Sequence, residues 1–208
     1  MLEVEMKFRV PDWAPIIAQL SEWGAVAVPV RKDTDHYFSA PDRDFAQTDE
    51  ALRIRRIGVV NYLTYKGPKI DTATKARVEV ELPLADGQDN AATAVRFLSG
   101  LGYRPVAVVA KTRLVYQFTR DGIALEACFD DVGAVGKYVE LEAMTEQEGY
   151  EAARAVVLRT ATELGLTEQE KRSYLRLLLD QPAHKTPTPY SPTLRGKRDK
   201  DSSPDKPS

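Results

Sequence analysis

The sequence predicts an α+β domain built on a mostly antiparallel sheet. Three observations carry this: eight short runs whose residues alternate in polarity, four amphipathic segments bounded by cap and stop residues, and charged residues filling one face of nearly every run. Strand side chains point to opposite faces with period two, so alternation marks strands with one apolar and one polar face.

The first strand is expected over 2–10, where Leu2, Val4, Met6, Phe8 and Val10 alternate with Glu3, Glu5, Lys7 and Arg9. A helix follows over 12–23, opening at an Asp12 cap and stopping at Gly24. Further strands are expected near 34–39, 51–57, 60–66 and 76–82. A second helix spans 89–100, from Asp89 or Asn90 to a pair of glycines. Strands near 105–118, 122–130 and 137–143 complete the set. Two helices close the chain, over 145–164 and 167–180, each opening on Thr-Glu-Gln-Glu, the spacing of a capping box.

At 208 residues the chain has room for one compact domain with a tail. Residues 1–181 read as that domain and 182–208 as a disordered, Pro-rich basic tail holding six of the 13 prolines. The tail carries six Lys/Arg against three Asp, leaving the body at a net charge of −5. An acidic body argues against nucleic acid as a partner, and the tail reads as a solvated extension. No run approaches the roughly 18 apolar residues of a membrane span, so no membrane partner is expected. The start, MLEVEMKFRV, carries acids and alternates from residue 2, unlike a signal peptide. Cys128 is the only cysteine, so no internal disulfide forms, and a cytoplasmic location is expected. With two distant histidines, His36 and His184, a zinc site of nitrogen and sulfur ligands is not expected. The sequence leaves a homodimer open.

The charged faces carry the functional reading. Arg53 and Arg55 share a face, as do Arg77, Glu79 and Glu81, Lys111 and Arg113, and Glu140 and Glu142. Lys66 follows in LTYKGPK, and Asp130 ends its strand in phase with Glu126. Any one strand reads as the wet face of a half-buried sheet. With Glu3, Glu5 and Lys7, and leaving Arg9 and Glu126 aside, these faces hold seven acids and seven bases where a wet face mixes Thr, Ser, Gln and Lys. If the sheet closes, the apolar faces sit beneath the helices and the charges line a lumen, for which eight strands are enough. Buried charges must be paired, so such a lumen fits a polyanion with metal. Clustered carboxylates form a hard oxygen site suited to Mg²⁺ or Mn²⁺. Arginine forks and lysine point charges suit phosphate oxygens. Gly67-Pro-Lys69 is not a Walker A loop, so a P-loop NTPase is not expected.

Glu3-Val-Glu5-Met-Lys7 resembles the ExExK signature of the CYTH family, which includes class IV adenylate cyclases and thiamine triphosphatases. DTDHYF (33–38), RDFAQTDEALRIRR (43–56), YLTYKGPK (62–69), ARVEVEL (76–82), VAKTRLVY (109–116), VGKYVELE (135–142) and SYLRLLL (173–179) resemble its further blocks in order. The wording is most similar to the class IV adenylate cyclase branch. The resemblance implies an eight-stranded antiparallel β-barrel, a triphosphate tunnel open at both ends, with helices packed outside. It implies that Glu3, Glu5, Glu140 and Glu142, with Asp130 and Glu79 or Glu81, hold Mg²⁺ or Mn²⁺. It implies that Lys7, Arg53, Arg55, Lys66, Lys111 and Arg113, joined by Arg77, hold a triphosphate such as ATP or inorganic triphosphate. Catalysis is expected from Glu3, Glu5 and Lys7, Lys7 holding phosphate or orienting the nucleophile. Two departures stand out: Ala134-Val135-Gly136 replaces a common Gly-Leu-Gly, and Arg176 occupies a position where an acid is common.

The leading expectation is an adenylate cyclase and the alternative a metal-dependent triphosphatase; a non-catalytic phosphate binder gains nothing from acids beside its anion. Tyr37, Phe38, Tyr62 and Tyr65 are expected to pack outward, His36 to be structural, and Asp42, Arg43 and Asp44 to form a solvated loop.

Overall fold

The computed structural model describes residues 1–70 and 73–182. The expected tail therefore lies outside the described residues, apart from Pro182. Eight strands form a closed barrel: β1 (Leu2–Arg9), β2 (Val26–Ser39), β3 (Ala51–Ile57), β4 (Val60–Lys66), β5 (Arg77–Leu84), β6 (Arg104–Arg120), β7 (Ile123–Asp131) and β8 (Lys137–Thr145). Around the barrel the order is β1-β5-β4-β3-β2-β6-β7-β8, with every pairing antiparallel. Two meanders, β3-β4-β5 and β6-β7-β8, are joined by the long β2–β6 pairing and closed by β1.

The apolar half of each alternating strand faces outward under helices. Val4, Met6 and Phe8 of β1 and Val139 and Leu141 of β8 pack beneath α1 (Ala14–Glu22) and α4 (Tyr150–Glu163), which contribute Ile16, Leu20, Val156 and Val157. Enclosing each such side chain is worth about 1.5–3 kcal/mol. A second cluster forms where Leu98 of α3 (Gln88–Gly100) meets Phe38, Leu52 and Ile54, beside Phe45 of α2 (Phe45–Thr48). A third lies on the inward phase, where Tyr174 and Leu177 of α5 (Tyr174–Leu179) meet Tyr37, Val109, Val135 and Tyr138.

Several boundaries differ from expectation for identifiable reasons. The first helix opens at Ala14, where Asp12 Oδ1 accepts from the Ala14 amide at 3.0 Å, and ends before Gly24, whose φ of 75° suits glycine. β2 begins at Val26 because its first half pairs with β6, from Val26↔Gln117 onward. Neither Thr-Glu-Gln-Glu run caps a helix. Thr145 is claimed by the ladder, paired with Leu2, so α4 starts five residues later. Residues 168–170 lie against β1: Arg9 N donates to Glu168 O at 3.0 Å and Glu170 N to Lys7 O at 2.8 Å. The cap of α5 is Ser173, whose hydroxyl accepts from the Arg176 amide at 3.1 Å. Tertiary pairing thus overrides a local capping signal that isolated segments would use.

Candidate active site

Closure turns the charged faces inward around a cavity of about 920 Å³. Thirteen of the fourteen residues expected to form a site lie on its wall: Glu3, Glu5 and Lys7 from β1, Arg53 and Arg55 from β3, and Lys66 from β4. Arg77, Glu79 and Glu81 come from β5, Lys111 and Arg113 from β6, and Glu140 and Glu142 from β8. Asp130 of β7 is fully enclosed behind that wall. The ladder sets opposite charges side by side, with Lys7↔Glu140, Asp35↔Arg55, Lys66↔Glu79 and Arg113↔Asp130 as neighbours across strands.

Three sets of ion pairs organise the wall. In the first, Asp130 accepts from Arg113 Nε at 2.7 Å and Nη2 at 2.5 Å, from Lys111 Nζ at 3.0 Å and from the Tyr174 hydroxyl at 3.0 Å. Burial pushes its pKa up, but Arg113 and Lys111 outweigh that and hold it well below the usual range. Arg113 also reaches Glu140 and, at 3.4 Å, Glu142. In the second, Asp35 accepts from Arg55 Nε and Nη2 at 2.7 and 2.8 Å and from Arg53 Nη1 at 3.3 Å. Burial again opposes the two arginines and loses, so Asp35 stays ionised. In the third, Lys66 contacts Glu3 and, at 3.0 Å, Glu79, while Lys75 Nζ donates to Glu5 at 2.7 Å. Burial raises Glu5, and Lys75, Lys66 and Lys7 together outweigh it, so its pKa is lowered. On the remaining wall, Thr64 donates to Glu81 at 3.4 Å and Arg77 to the Asp49 carbonyl at 3.4 Å.

Two groups are poised near neutrality. Lys7 donates to the Arg172 carbonyl at 2.5 Å, lies 4.1 Å from the centre of the Tyr174 ring and 3.9 Å from Glu140. Burial, helped by the charge of Lys75, lowers its pKa to about 7. Glu142 is pushed up to about 8, first by burial and further by Glu140, Glu3 and Glu5, with Arg113 opposing. Burial raises its neighbour Glu140, but Arg113, Lys111 and Lys7 together outweigh that and bring it to about 2.

Carboxylate oxygens of Glu3, Glu5 and Glu142 lie within 4.8 Å of one another, and so do donor atoms of Glu126, Cys128 and Glu142. Burial holds the Cys128 thiol well above its ordinary value, so it stays protonated and is a poor ligand. The all-oxygen set is the one that fits a hard divalent cation.

Sequence reasoning missed four residues. Asp35 sits in DTDHYF on the inward phase with Asp33 and Tyr37, so its alternation was there to be used. Tyr37 turns its hydroxyl toward Arg53 at 3.4 Å rather than packing outward, whereas Phe38 packs against Leu52, Ile54 and Leu98 as expected. Lys75 lies on the β4–β5 connection, where no periodicity reports its direction, and Tyr174 meets Asp130 only through the fold. His36 is half-buried, with its pKa lowered by burial, and pairs with Ile54 in the ladder. Asp42, Arg43 and Asp44 are exposed, as expected of a solvated loop, within which Arg43 ties Asp42 to Glu50 and Asp44 caps α2 by accepting from the Ala46 amide at 2.9 Å.

An antiparallel barrel that buries paired acids and bases in its lumen defines a charged-tunnel protein. The CYTH domain matches residues 1–174, and the chain belongs to the CYTH family. It is 37% identical over 142 residues to a Methanocaldococcus jannaschii protein provisionally named an adenylate cyclase, a match covering 68% of this chain and 77% of that one. It is 28% identical over 191 residues to the adenylate cyclase CyaB of Aeromonas hydrophila, covering 86% of this chain and 89% of that one. A solved protein of Pyrococcus horikoshii superposes with a TM-score of 0.72 at 35% identity, covering 85% of this chain and 98% of that one. Among the described residues, no helix is long and apolar enough to cross a membrane.

Proposed function

We propose that this chain is a cytoplasmic, divalent-metal-dependent enzyme that converts ATP to cyclic AMP and pyrophosphate in its lumen. One observation carries the reading: Glu3, Glu5 and Glu142 converge within 4.8 Å on a wall otherwise rich in arginine and lysine, with Lys7 beside them. The names of the two relatives support the choice of reaction.

Mg²⁺ or Mn²⁺, held by Glu3, Glu5 and Glu142, would supply charge that favours an ionised hydroxyl and a departing polyphosphate. Arg53, Arg55, Lys66, Arg77, Lys111 and Arg113 bind the triphosphate and neutralise charge on the leaving group. Lys7, with a pKa near 7, takes the proton from the ribose 3′-hydroxyl. The 3′-oxygen bonds to the α-phosphorus, the bond to the α–β bridging oxygen breaks, and pyrophosphate leaves. Asp130 and Asp35 hold Lys111, Arg113, Arg53 and Arg55 in place, so we assign Asp130 to positioning rather than to the metal.

The second reading is a triphosphatase for tripolyphosphate, thiamine triphosphate or a nucleoside triphosphate. It rests on the wall itself, whose charged groups fit a triphosphate chain whatever is attached to it. Phosphorus NMR of the purified protein with Mg²⁺ or Mn²⁺, supplied separately with ATP and tripolyphosphate, decides between them. Cyclic AMP with pyrophosphate is the expected result. Orthophosphate from tripolyphosphate, with no cyclic AMP from ATP, would replace the cyclase by the triphosphatase.

A further inference from the structure

The candidate cation ligands are already occupied by the protein's own cations. Glu3 is held by Lys66 and Glu5 by Lys75, each through a single ammonium. Lys75 is aimed by its backbone: its amide donates to the Glu5 carbonyl at 2.8 Å, which anchors the β4–β5 connection beside the carboxylate that its side chain grips. Both lysines border the cavity where a phosphate chain would lie.

A buried lumen must stay nearly balanced in charge. A divalent cation arriving alone meets carboxylates that already have partners and adds positive charge beside two ammonium groups. A polyphosphate arriving alone finds its lysines committed and adds negative charge beside Glu3 and Glu5. When both arrive together, carboxylates turn to the cation and ammonium groups to phosphate, and balance is kept. Lysine suits such an exchange: it is a point charge on a flexible stem with rotatable donors, unlike the forked Arg113 on Asp130.

We infer that Lys66 and Lys75 are exchangeable counter-ions, holding Glu3 and Glu5 until a divalent cation and a polyphosphate enter together and then passing to the phosphate oxygens. Cation and polyphosphate consequently bind with positive coupling, and Lys75 joins the site as a phosphate-binding residue. The inference rests on reading the lumen as a metal and triphosphate site.

The test is Mn²⁺ binding followed by electron paramagnetic resonance without any polyphosphate, in the parent, Lys75→Gln, Lys66→Gln and Lys75→Arg. Removing either ammonium should tighten Mn²⁺ binding by about fivefold or more, the lower end of ordinary coupling between sites. Lys75→Arg, which keeps the charge, should stay near the parent. Calorimetry with tripolyphosphate, analysed on free-species concentrations, should show Mn²⁺ tightening its binding in the parent and much less so in the Gln variants. A merely structural lysine would lower the melting temperature without tightening Mn²⁺. Circular dichroism identifies folded variants, and whichever Gln variant folds decides the outcome. Folded Gln variants that bind Mn²⁺ no more tightly than the parent overturn the exchange and leave the site reading standing. If neither parent nor variants take up Mn²⁺, the site reading falls, and the exchange with it.

Discussion

The wall made by β6, β7 and β8 and the wall made by β1, β5 and β4 both pair acids with bases, but they hold them differently. On the first, Asp130 is fully enclosed and receives four hydrogen bonds from Arg113, Lys111 and Tyr174. On the second, Glu3 and Glu5 keep 5% and 9% of their surface exposed, and each is held by one lysine. A carboxylate gripped by a planar fork and a ring hydroxyl has no easy alternative partner. One held by a single ammonium does, at little cost in geometry. The comparison separates charge that builds the tunnel from charge available for chemistry, although both look alike along a strand.

The largest expected effect is on the lysine wall. Glu3→Ala should lower turnover by at least about 100- to 1,000-fold, the scale of removing one preorganised electrostatic contact from a transition state. Its melting temperature should stay close to the parent's, as steady-state kinetics with a thermal melt would show. On the arginine wall the effect should fall on stability. Asp130→Asn leaves Lys111 and Arg113 buried without their carboxylate, at a cost of about 3–5 kcal/mol. Thermal unfolding should register this as a drop of roughly 10 °C at 2–4 °C per kcal/mol. If Glu3→Ala and Asp130→Asn lost stability equally, the distinction between the walls would be gone.

Glu142 lies between the two walls and gives a prediction that depends on pH. Its folded pKa, near 8, is above the ordinary carboxylate value of 4.5, so the protonated form is favoured in the fold. Below pH 4.5 it is protonated folded or unfolded; between 4.5 and 8 the unfolded chain ionises while the fold keeps the proton, so stability falls as pH rises and the loss is complete above 8. In metal-free protein, Glu142→Gln should therefore match the parent near pH 4.5 and melt several degrees above it at pH 9. A difference that does not change with pH would contradict the assignment. The smallest effect is expected at Ser173, which caps α5 and presents Tyr174 to Asp130. Ser173→Ala should cost about 1 kcal/mol, read in the same melts.

The barrel and most of its wall were legible in the sequence for a physical reason. A strand that is apolar outside and charged inside writes both facts in period two, as Leu2–Arg9, Arg53/Arg55 and Glu140/Glu142 do. What was not legible depends on partners distant along the chain. Thr145 and Thr167 carry equal capping signals, yet strand pairing takes one and contact with β1 takes the segment after the other. Asp130 and Glu142 sit in the same kind of alternating strand, and only the arrival of Arg113, Lys111 and Tyr174 makes one an anchor and leaves the other near neutrality. Lys75 lies on a connection, where spacing says nothing about direction, so its grip on Glu5 needed the fold to be seen.

The most direct test of the central claim is a crystal structure with Mn²⁺ and a non-hydrolysable ATP analogue, using anomalous scattering to locate the metal. The account predicts a manganese peak among Glu3, Glu5 and Glu142, with the phosphate chain against Arg53, Arg55 and Lys66. Manganese and phosphates bound outside the barrel, with Lys66 still on Glu3 and Lys75 still on Glu5, would contradict it.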